Sequence, residues 1–251
     1  MRCSIIGSIH CVLALSVRKC DAMQSESLSA EHYLNAKWGE AIGAGNFFEN
    51  GNNNKMTNLD PRIVGGTPVD PPDSYPFFAL LHKNGFYFCG GALISPTLVL
   101  SAAHCATEYA DSVMIGRSDI NDPLDEYENI DIVDVFIHPA YNENNLDNDF
   151  ALFKLAEAST YQPIELDDGF VELDGTSTTR TPLTVMGFGL LYFDGPQSDT
   201  LLEAQVEYLT QADCQQAYKN FAGITSNMLC ASAPGNDACQ VCAPCLTILR
   251  R

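Results

Sequence analysis

The chain has 251 residues, of which 32 are acidic and 13 basic, so its formal net charge is −19 at pH 7. Such a surplus of negative charge repels phosphate backbones and excludes nucleic acid as an expected partner. A hydrophobic fraction of 46% is sufficient for a packed core, and ten cysteines indicate an oxidising compartment.

The first 62 residues are expected to lie outside the folded domain. Residues 3–17 form an apolar run that is too short to span a bilayer but matches the core of a signal peptide, which predicts a signal peptide at 1–22 and secretion. Residues 23–62 are rich in Asn and Gly without apolar periodicity, and they predict a disordered leader. No later segment is apolar enough to cross a membrane.

From Ile63 onwards the sequence predicts short strands separated by turns. Apolar runs on both sides of Asn84-Gly85 predict a β-hairpin, because this dipeptide favours a two-residue turn. Residues 211–220 carry the best helical pattern. Many short strands at even spacing indicate an all-β fold, either an antiparallel barrel or a sandwich.

Six separated motifs follow one another in the second part of the chain. They are RIVGG (62–66), LSAAHC (100–105), DNDFALFKL (147–155), VMGFG (185–189), NMLC (227–230) and DACQ (237–240). Together they resemble the chymotrypsin/trypsin family of serine endopeptidases. The resemblance implies a two-barrel architecture, with a complete six-stranded antiparallel barrel in residues 63–180 and about half of a second barrel in residues 181–240.

The resemblance assigns chemistry to three polar residues. His104 would be the general base, because imidazole accepts a hydroxyl proton and returns it near neutral pH. Asp149, rather than Asp147 of the same turn, would hold that imidazole in one tautomer and stabilise its charged form. Asp237 would form the base of the specificity pocket and select Arg or Lys through charge-assisted hydrogen bonds.

The resemblance also implies a zymogen that is activated by cleavage between Arg62 and Ile63. The new α-amino group of Ile63 would be charged near neutral pH. In the family this group pairs with a buried carboxylate beside the nucleophile and orders the oxyanion hole. The expected partners are therefore an activating protease and protein or peptide substrates that are cleaved after Arg or Lys.

The cysteines follow the same register. The resemblance implies one disulfide between Cys89 and Cys105 and another between Cys214 and Cys230. It leaves Cys239 unpaired, because the cysteine that would normally bridge to it is absent from the sequence.

An acidic loop at residues 116–129 occupies the position where some relatives bind calcium, an ion that requires several oxygen ligands. Arg117 and Tyr127 stand where those relatives carry ligating carboxylates. We therefore expect no metal and no other cofactor.

The resemblance stops after Gln240. The family continues with a glycine, an acid, the nucleophilic serine and two glycines, whereas this chain continues VCAPC and then LTILRR. No serine follows Ser232. The sequence therefore predicts a family member truncated before its nucleophile, with a non-family tail at 241–251, that is inactive as written.

Two alternatives remain open at this stage. The chain could be a non-catalytic serine protease homologue that acts as a secreted protein-binding module. The spacing of Cys239, Cys242 and Cys245 is also compatible with a metal or redox site, although the strand–helix context of a redox motif is lacking.

Overall fold

The computed structural model describes residues 66–106, 110–166, 175–176, 179–189, 196–219, 223–232 and 246–249. Several sequence predictions lie outside these described residues. They are the signal peptide (1–22), the leader (23–62), the Arg62–Ile63 bond, Asp237, and the three tail cysteines Cys239, Cys242 and Cys245.

The described residues are mostly strands. In chain order the elements are β1 (Thr67–Pro68), a 3₁₀ turn (Pro72–Ser74), β2 (Phe78–Lys83), β3 (Phe86–Ser95), β4 (Leu98–Ser101), α1 (Ala103–Ala106), β5 (Ser112–Ile115), β6 (Glu128–Ile137), β7 (Ala151–Leu155), β8 (Gly175–Thr176), β9 (Thr179–Arg180), β10 (Pro182–Gly187), β11 (Leu202–Leu209), α2 (Gln211–Tyr218), β12 (Cys230–Ser232) and β13 (Leu246–Leu249). The predicted all-β class is confirmed, and α2 falls where the helix is predicted. No helix in the described part of the chain has the length and apolar character of a membrane span.

Strands β2 to β7 close into an antiparallel barrel in the order β2-β3-β4-β7-β6-β5. Because β2 pairs with both β3 and β5, the ladder returns to its starting strand. Closure removes the open edges that would otherwise attract other strands. The six-stranded first barrel that the resemblance implies is therefore confirmed.

The turn between β2 and β3 forms at the predicted dipeptide. Asn84 and Gly85 have φ values of 49° and 81°, in the left-handed region that Asn and Gly tolerate best. Lys83 pairs with Phe86 directly across the turn. The backbone N–H of Asn84 also donates to Oδ2 of Asp111 at 3.0 Å, which fixes the hairpin tip to the start of β5.

The barrel interior is tightly packed, and at one position in β3 it has no room for an additional methyl group. The largest fully buried side chains include Phe78 of β2 and Phe153 of β7. Where β3 pairs with β4, a Cβ atom on Gly91 would lie 2.5 Å from the backbone oxygen of Leu100 and 2.9 Å from Cγ1 of Val99. Glycine is therefore required for the close approach of these two strands.

Substituting Gly91→Ala is expected to destabilise the barrel by about 1–3 kcal/mol, because the new methyl group overpacks the β3–β4 contact. The free energy of unfolding from urea denaturation measures this change. Gly223→Ala is the matched control, since a Cβ atom there meets nothing within 4 Å. The control is expected to stay within about 0.5 kcal/mol of the parent; equal effects at both positions would contradict the packing argument.

The described residues of the second half of the chain form, together with β1, a second antiparallel sheet of five strands. Strand β11 pairs with β10 on one side and with β1 and β12 on the other. Helix α2 begins after Thr210, whose hydroxyl accepts from the backbone N–H of Asp213 at 3.1 Å. The disulfide between Cys214 and Cys230 ties α2 to β12, as the resemblance implies.

The tail contributes a strand that the sequence analysis does not assign. Residues Leu246–Leu249 form β13, which pairs antiparallel with β10 over Leu183 to Met186. The β-branched residues Thr247 and Ile248 favour an extended backbone, and β10 offers an edge that β11 leaves free. Strand β13 therefore extends the second sheet by one strand.

Candidate active site

His104 is fixed at one end of the barrel. It lies on α1, directly after β4, and its neighbour Cys105 is bonded to Cys89 of β3. This disulfide confirms the pairing implied by the resemblance and holds the short α1 turn against the barrel wall. The His104 side chain is 29% exposed, so the ring is neither fully buried nor fully accessible to solvent.

Asp149 lies two residues before β7 and contacts His104 twice. Its Oδ2 atom is 2.6 Å from Nδ1 of His104, and its Oδ1 atom accepts the backbone N–H of His104 at 2.9 Å. Only 12% of the Asp149 side chain is exposed. When Nδ1–H donates to this carboxylate, Nε2 of the neutral ring keeps its lone pair and can accept a proton. The pair is therefore arranged as a base and the acid that orients it.

Tyr141 lies near the same carboxylate. Burial of the phenol, followed by the charges of Asp149 and Glu143, raises the pKa of Tyr141 above its usual value. The phenol therefore stays neutral throughout the physiological pH range. The tyrosine therefore adds no negative charge near Asp149.

Asp147, the other aspartate of the turn, faces the second half of the chain. Its Oδ1 atom accepts the hydroxyl proton of Thr225 at 2.6 Å and an N–H of the Asn227 side chain at 3.0 Å. Burial, the largest single influence, would raise the pKa of Asp147, but the hydrogen bonds from Thr225 and Asn227 lead a set of contributions that together lower that pKa below its usual value. Smaller contributions come from the Asn148 backbone and from His138. The structure thus separates the two aspartates into different environments.

The hydrogen bonds to Asp147 are expected to make part of the free energy of unfolding depend on pH in the acidic range. Because the folded pKa of Asp147 is lowered, its contribution is complete above the unfolded value of about 3.9 and is lost as pH falls through the folded value. In Asp147→Asn, the midpoint of urea denaturation should therefore change less with pH between about pH 2 and 5 than it does in the parent protein. The pKa values of Asp111 and Glu128 are also lowered, so the difference between the two proteins is the quantity to measure. Parallel curves would contradict the expectation.

One compact group of potential metal ligands exists among the described residues. It comprises Cys89, His104 and Cys105, whose ligand atoms lie within 4.8 Å of one another. Both cysteines are in a disulfide, and a metal-binding cysteine must be a thiolate. These residues therefore do not fit a metal ion.

The acidic loop before β6 is held by an internal cation. Nε of Arg117 lies 3.5 Å from Oδ2 of Asp125, and both side chains are only about one-tenth exposed. The same carboxylate accepts the backbone N–H and hydroxyl of Ser118 and the N–H of Asp119, at 2.7–2.9 Å. The guanidinium lies 4.0 Å from the centre of the Tyr127 ring. The Asp125 carboxylate is thus already paired within the loop, and the residues do not fit a calcium site, which needs several free oxygen ligands.

The melting temperature is accordingly expected to be the same in excess calcium and in excess chelator. Arg117→Met should lower the free energy of unfolding by about 1–3 kcal/mol, because it leaves the buried Asp125 carboxylate without its cation. The control is Arg180→Met, whose partner Glu207 lies 3.9 Å away in a pair that is more exposed, with 31% and 53% of the two side chains accessible. That control should cost less than about 1 kcal/mol. A calcium-dependent rise in melting temperature would contradict the assignment.

The other predicted site residues are not brought to this pair within the described residues. Arg62, Ile63, Asp237 and Cys239 lie outside them, and the backbone of Ser232 pairs with Glu207 across β11 and β12. The contact of Asp147 with Thr225 and Asn227 is not predicted from the sequence. No local pattern could have revealed it, because the partners are 78 and 80 positions apart.

A closed six-stranded antiparallel barrel with a His–Asp pair at its end and a disulfide behind the histidine defines a chymotrypsin-like protein. The trypsin family model matches residues 63–241. The chain is 37% identical to Trypsin-3 of Salmo salar over 188 residues, which cover 72% of this chain and 74% of the relative. It is 34% identical to Trypsin 5G1 of Aedes aegypti over 186 residues, covering 71% and 68%, and 34% identical to Trypsin II-P29 of Gallus gallus over 192 residues, covering 72% and 71%.

The chain therefore belongs to the trypsin family of serine proteases. This membership rests on a match that spans the first barrel and the strands β1, β10, β11 and β12 of the second sheet.

Proposed function

We propose that this protein is a trypsin-like serine endopeptidase that is made as a secreted zymogen, and that the 251-residue chain has no hydrolytic activity of its own. The observation that carries the enzymatic part is the 2.6 Å hydrogen bond between Nδ1 of His104 and Asp149. In this arrangement His104 accepts a proton from a nucleophile and returns it to the leaving amine, while Asp149 stabilises the imidazolium.

Substrate selection is assigned to Asp237. A carboxylate at the base of an enclosed pocket favours a guanidinium or ammonium group over neutral side chains, through charge-assisted hydrogen bonds. The proposed substrates are protein or peptide chains that are cleaved after Arg or Lys. The position of Asp237 in the DACQ motif supports this assignment.

Activation is assigned to cleavage between Arg62 and Ile63 by another protease. The motif RIVGG at residues 62–66 supports this bond, and the apolar run at residues 3–17 supports secretion. The charged α-amino group of Ile63 would then be available for an ion pair in the second barrel.

The expected inactivity follows from the residues after Gln240. Val241, Cys242 and Ala243 stand where the family carries its glycine, acid and nucleophilic serine. Loss of one triad member leaves about 10³–10⁴-fold catalysis over water, which comes from the oxyanion hole and substrate binding. Because the backbone amides of that hole belong to the same replaced segment, this residual catalysis should also be lost.

A chimera tests the proposal. Residues 241–251 are replaced by the serine-bearing C-terminal segment of a trypsin, and the chain is cleaved after Arg62 with an immobilised protease that is then removed. The chimera should cleave peptides after Arg and Lys, and His104→Ala should lower kcat by about 10⁴-fold or more. The unaltered chain, treated identically, should show no turnover and no labelling by a serine-directed covalent inhibitor.

The specificity assignment has its own variant in the same chimera. Asp237→Ser should lower kcat/KM for Arg and Lys substrates by about 10⁴-fold, since the cationic side chain would lose its buried partner. Asp213→Ser, at an exposed acidic residue of α2, is the control and should leave kcat/KM unchanged. Undiminished cleavage after Arg in Asp237→Ser, or turnover by the unaltered chain, would overturn the corresponding part of the proposal.

A further inference from the structure

The turn before Asp149 has an unusual backbone. Leu146 and Asn148, on either side of Asp147, have φ values of 55° and 54°. This left-handed region is tolerated by Asn but is unfavourable for a bulky residue such as Leu. Such conformations persist where surrounding contacts determine them, and they concentrate at functional sites.

Contacts within the turn hold only part of this conformation. The backbone N–H of Asn142 donates to the oxygen of Asp147 at 3.0 Å, and the side chain of Asn148 donates to the oxygen of Ala140 at 3.0 Å. These bonds close the turn on itself. They do not connect it to any other part of the described structure.

The connection to the second half runs through the Asp147 side chain. Thr225 and Asn227 both donate to its Oδ1 atom, and the three residues are called the Asp147 clamp. Both donors belong to the segment that precedes β12. Two side chains of α2 hold this segment in place. The Gln215 side chain of α2 donates to the oxygen of Ile224 at 3.1 Å, and the Gln211 side chain donates to the oxygen of Thr225.

The Asp147 clamp is held in place both at its donors and at its acceptor. Helix α2 is tied to β12 by the disulfide between Cys214 and Cys230, so the donors are fixed to the second sheet. At the other end, Asp147 is separated from Asp149 only by the left-handed Asn148. A movement of the Asp147 carboxylate would therefore rotate the backbone that presents Asp149 to His104.

We infer that Asp147 is a positioning residue through which the second half of the chain holds Asp149 in hydrogen-bonding register with His104. The inference rests on the catalytic pair named in the proposed function and adds the residue that sets its geometry. Asp147 itself touches neither a substrate nor the reacting atoms. The two halves of the chain thus cooperate in the orientation of the base.

The test is the low-field proton resonance of the Nδ1–H group of His104, measured by NMR on the full 251-residue chain labelled with ¹⁵N-histidine. Its assignment is checked by its disappearance in Asp149→Asn. Thr225→Val preserves the shape of the side chain but removes the hydroxyl donor, and it should move the resonance upfield and broaden it. Thr225→Ser retains the hydroxyl and should restore the parent signal.

Two further variants separate positioning from general stability. Asp147→Asn weakens the acceptor and should shift the resonance in the same direction as Thr225→Val. Glu143→Gln removes a charge from an exposed residue of the same turn and should leave the resonance unchanged. Circular dichroism spectra and melting curves establish that each variant is folded. An unshifted resonance in folded Thr225→Val and Asp147→Asn, or its absence from the parent chain, would overturn the inference.

A kinetic readout distinguishes this inference from the proposed function. In the chimera that carries the catalytic serine, Thr225→Val should lower kcat by about tenfold to a hundredfold with little change in KM, because it misplaces the base and not the substrate. A chimera that is inactive towards Arg and Lys peptides, combined with the expected NMR shifts, would refute the substrate assignment and leave the positioning role intact. Equal losses of kcat in Thr225→Val and Thr225→Ser would refute the positioning role alone.

Discussion

The hydrogen bond between Nδ1 of His104 and Oδ2 of Asp149 is the interaction on which the proposed chemistry of this fold depends. It joins a turn after β4 to a turn before β7, and these strands are neighbours in the closed barrel. A largely buried carboxylate that accepts Nδ1–H of a partly exposed ring can fix the tautomer of that ring. The barrel therefore acts as a rigid frame that holds two side chains, 45 residues apart in sequence, at hydrogen-bond distance.

The two aspartates of the DNDF motif illustrate how environment divides the roles of identical side chains. Asp149 contacts the imidazole and its backbone N–H, whereas Asp147 accepts hydrogen bonds from Thr225 and Asn227. The left-handed Asn148 between them turns the two carboxylates towards different partners. Strain in this turn is thus offset by contacts on both sides, one in the barrel and one in the second half of the chain.

The second sheet and the acidic loop show how local features adapt around the barrel. Within the acidic loop the guanidinium of Arg117 lies beside the carboxylate of Asp125 and supplies a positive charge there. Strand β13 pairs with β10 through backbone atoms, a form of recognition that depends little on side-chain identity. This explains how residues outside the family motifs are accommodated beside a strand that belongs to the family.

The sequence by itself determined the elements whose signals are local or carried by contiguous motifs. The Asn84-Gly85 turn, helix α2 and the all-β class follow from dipeptide chemistry and periodicity, whereas the pairing of the two disulfides was implied only by the family resemblance. Only the tertiary structure decided the contacts between distant segments: the Asp147 clamp, the cation that closes the acidic loop, and the strand formed by Leu246–Leu249. The physical reason is that hydrogen bonds and strand pairings between segments far apart in sequence depend on where the closed barrel and the disulfides place them, and no local pattern encodes that placement.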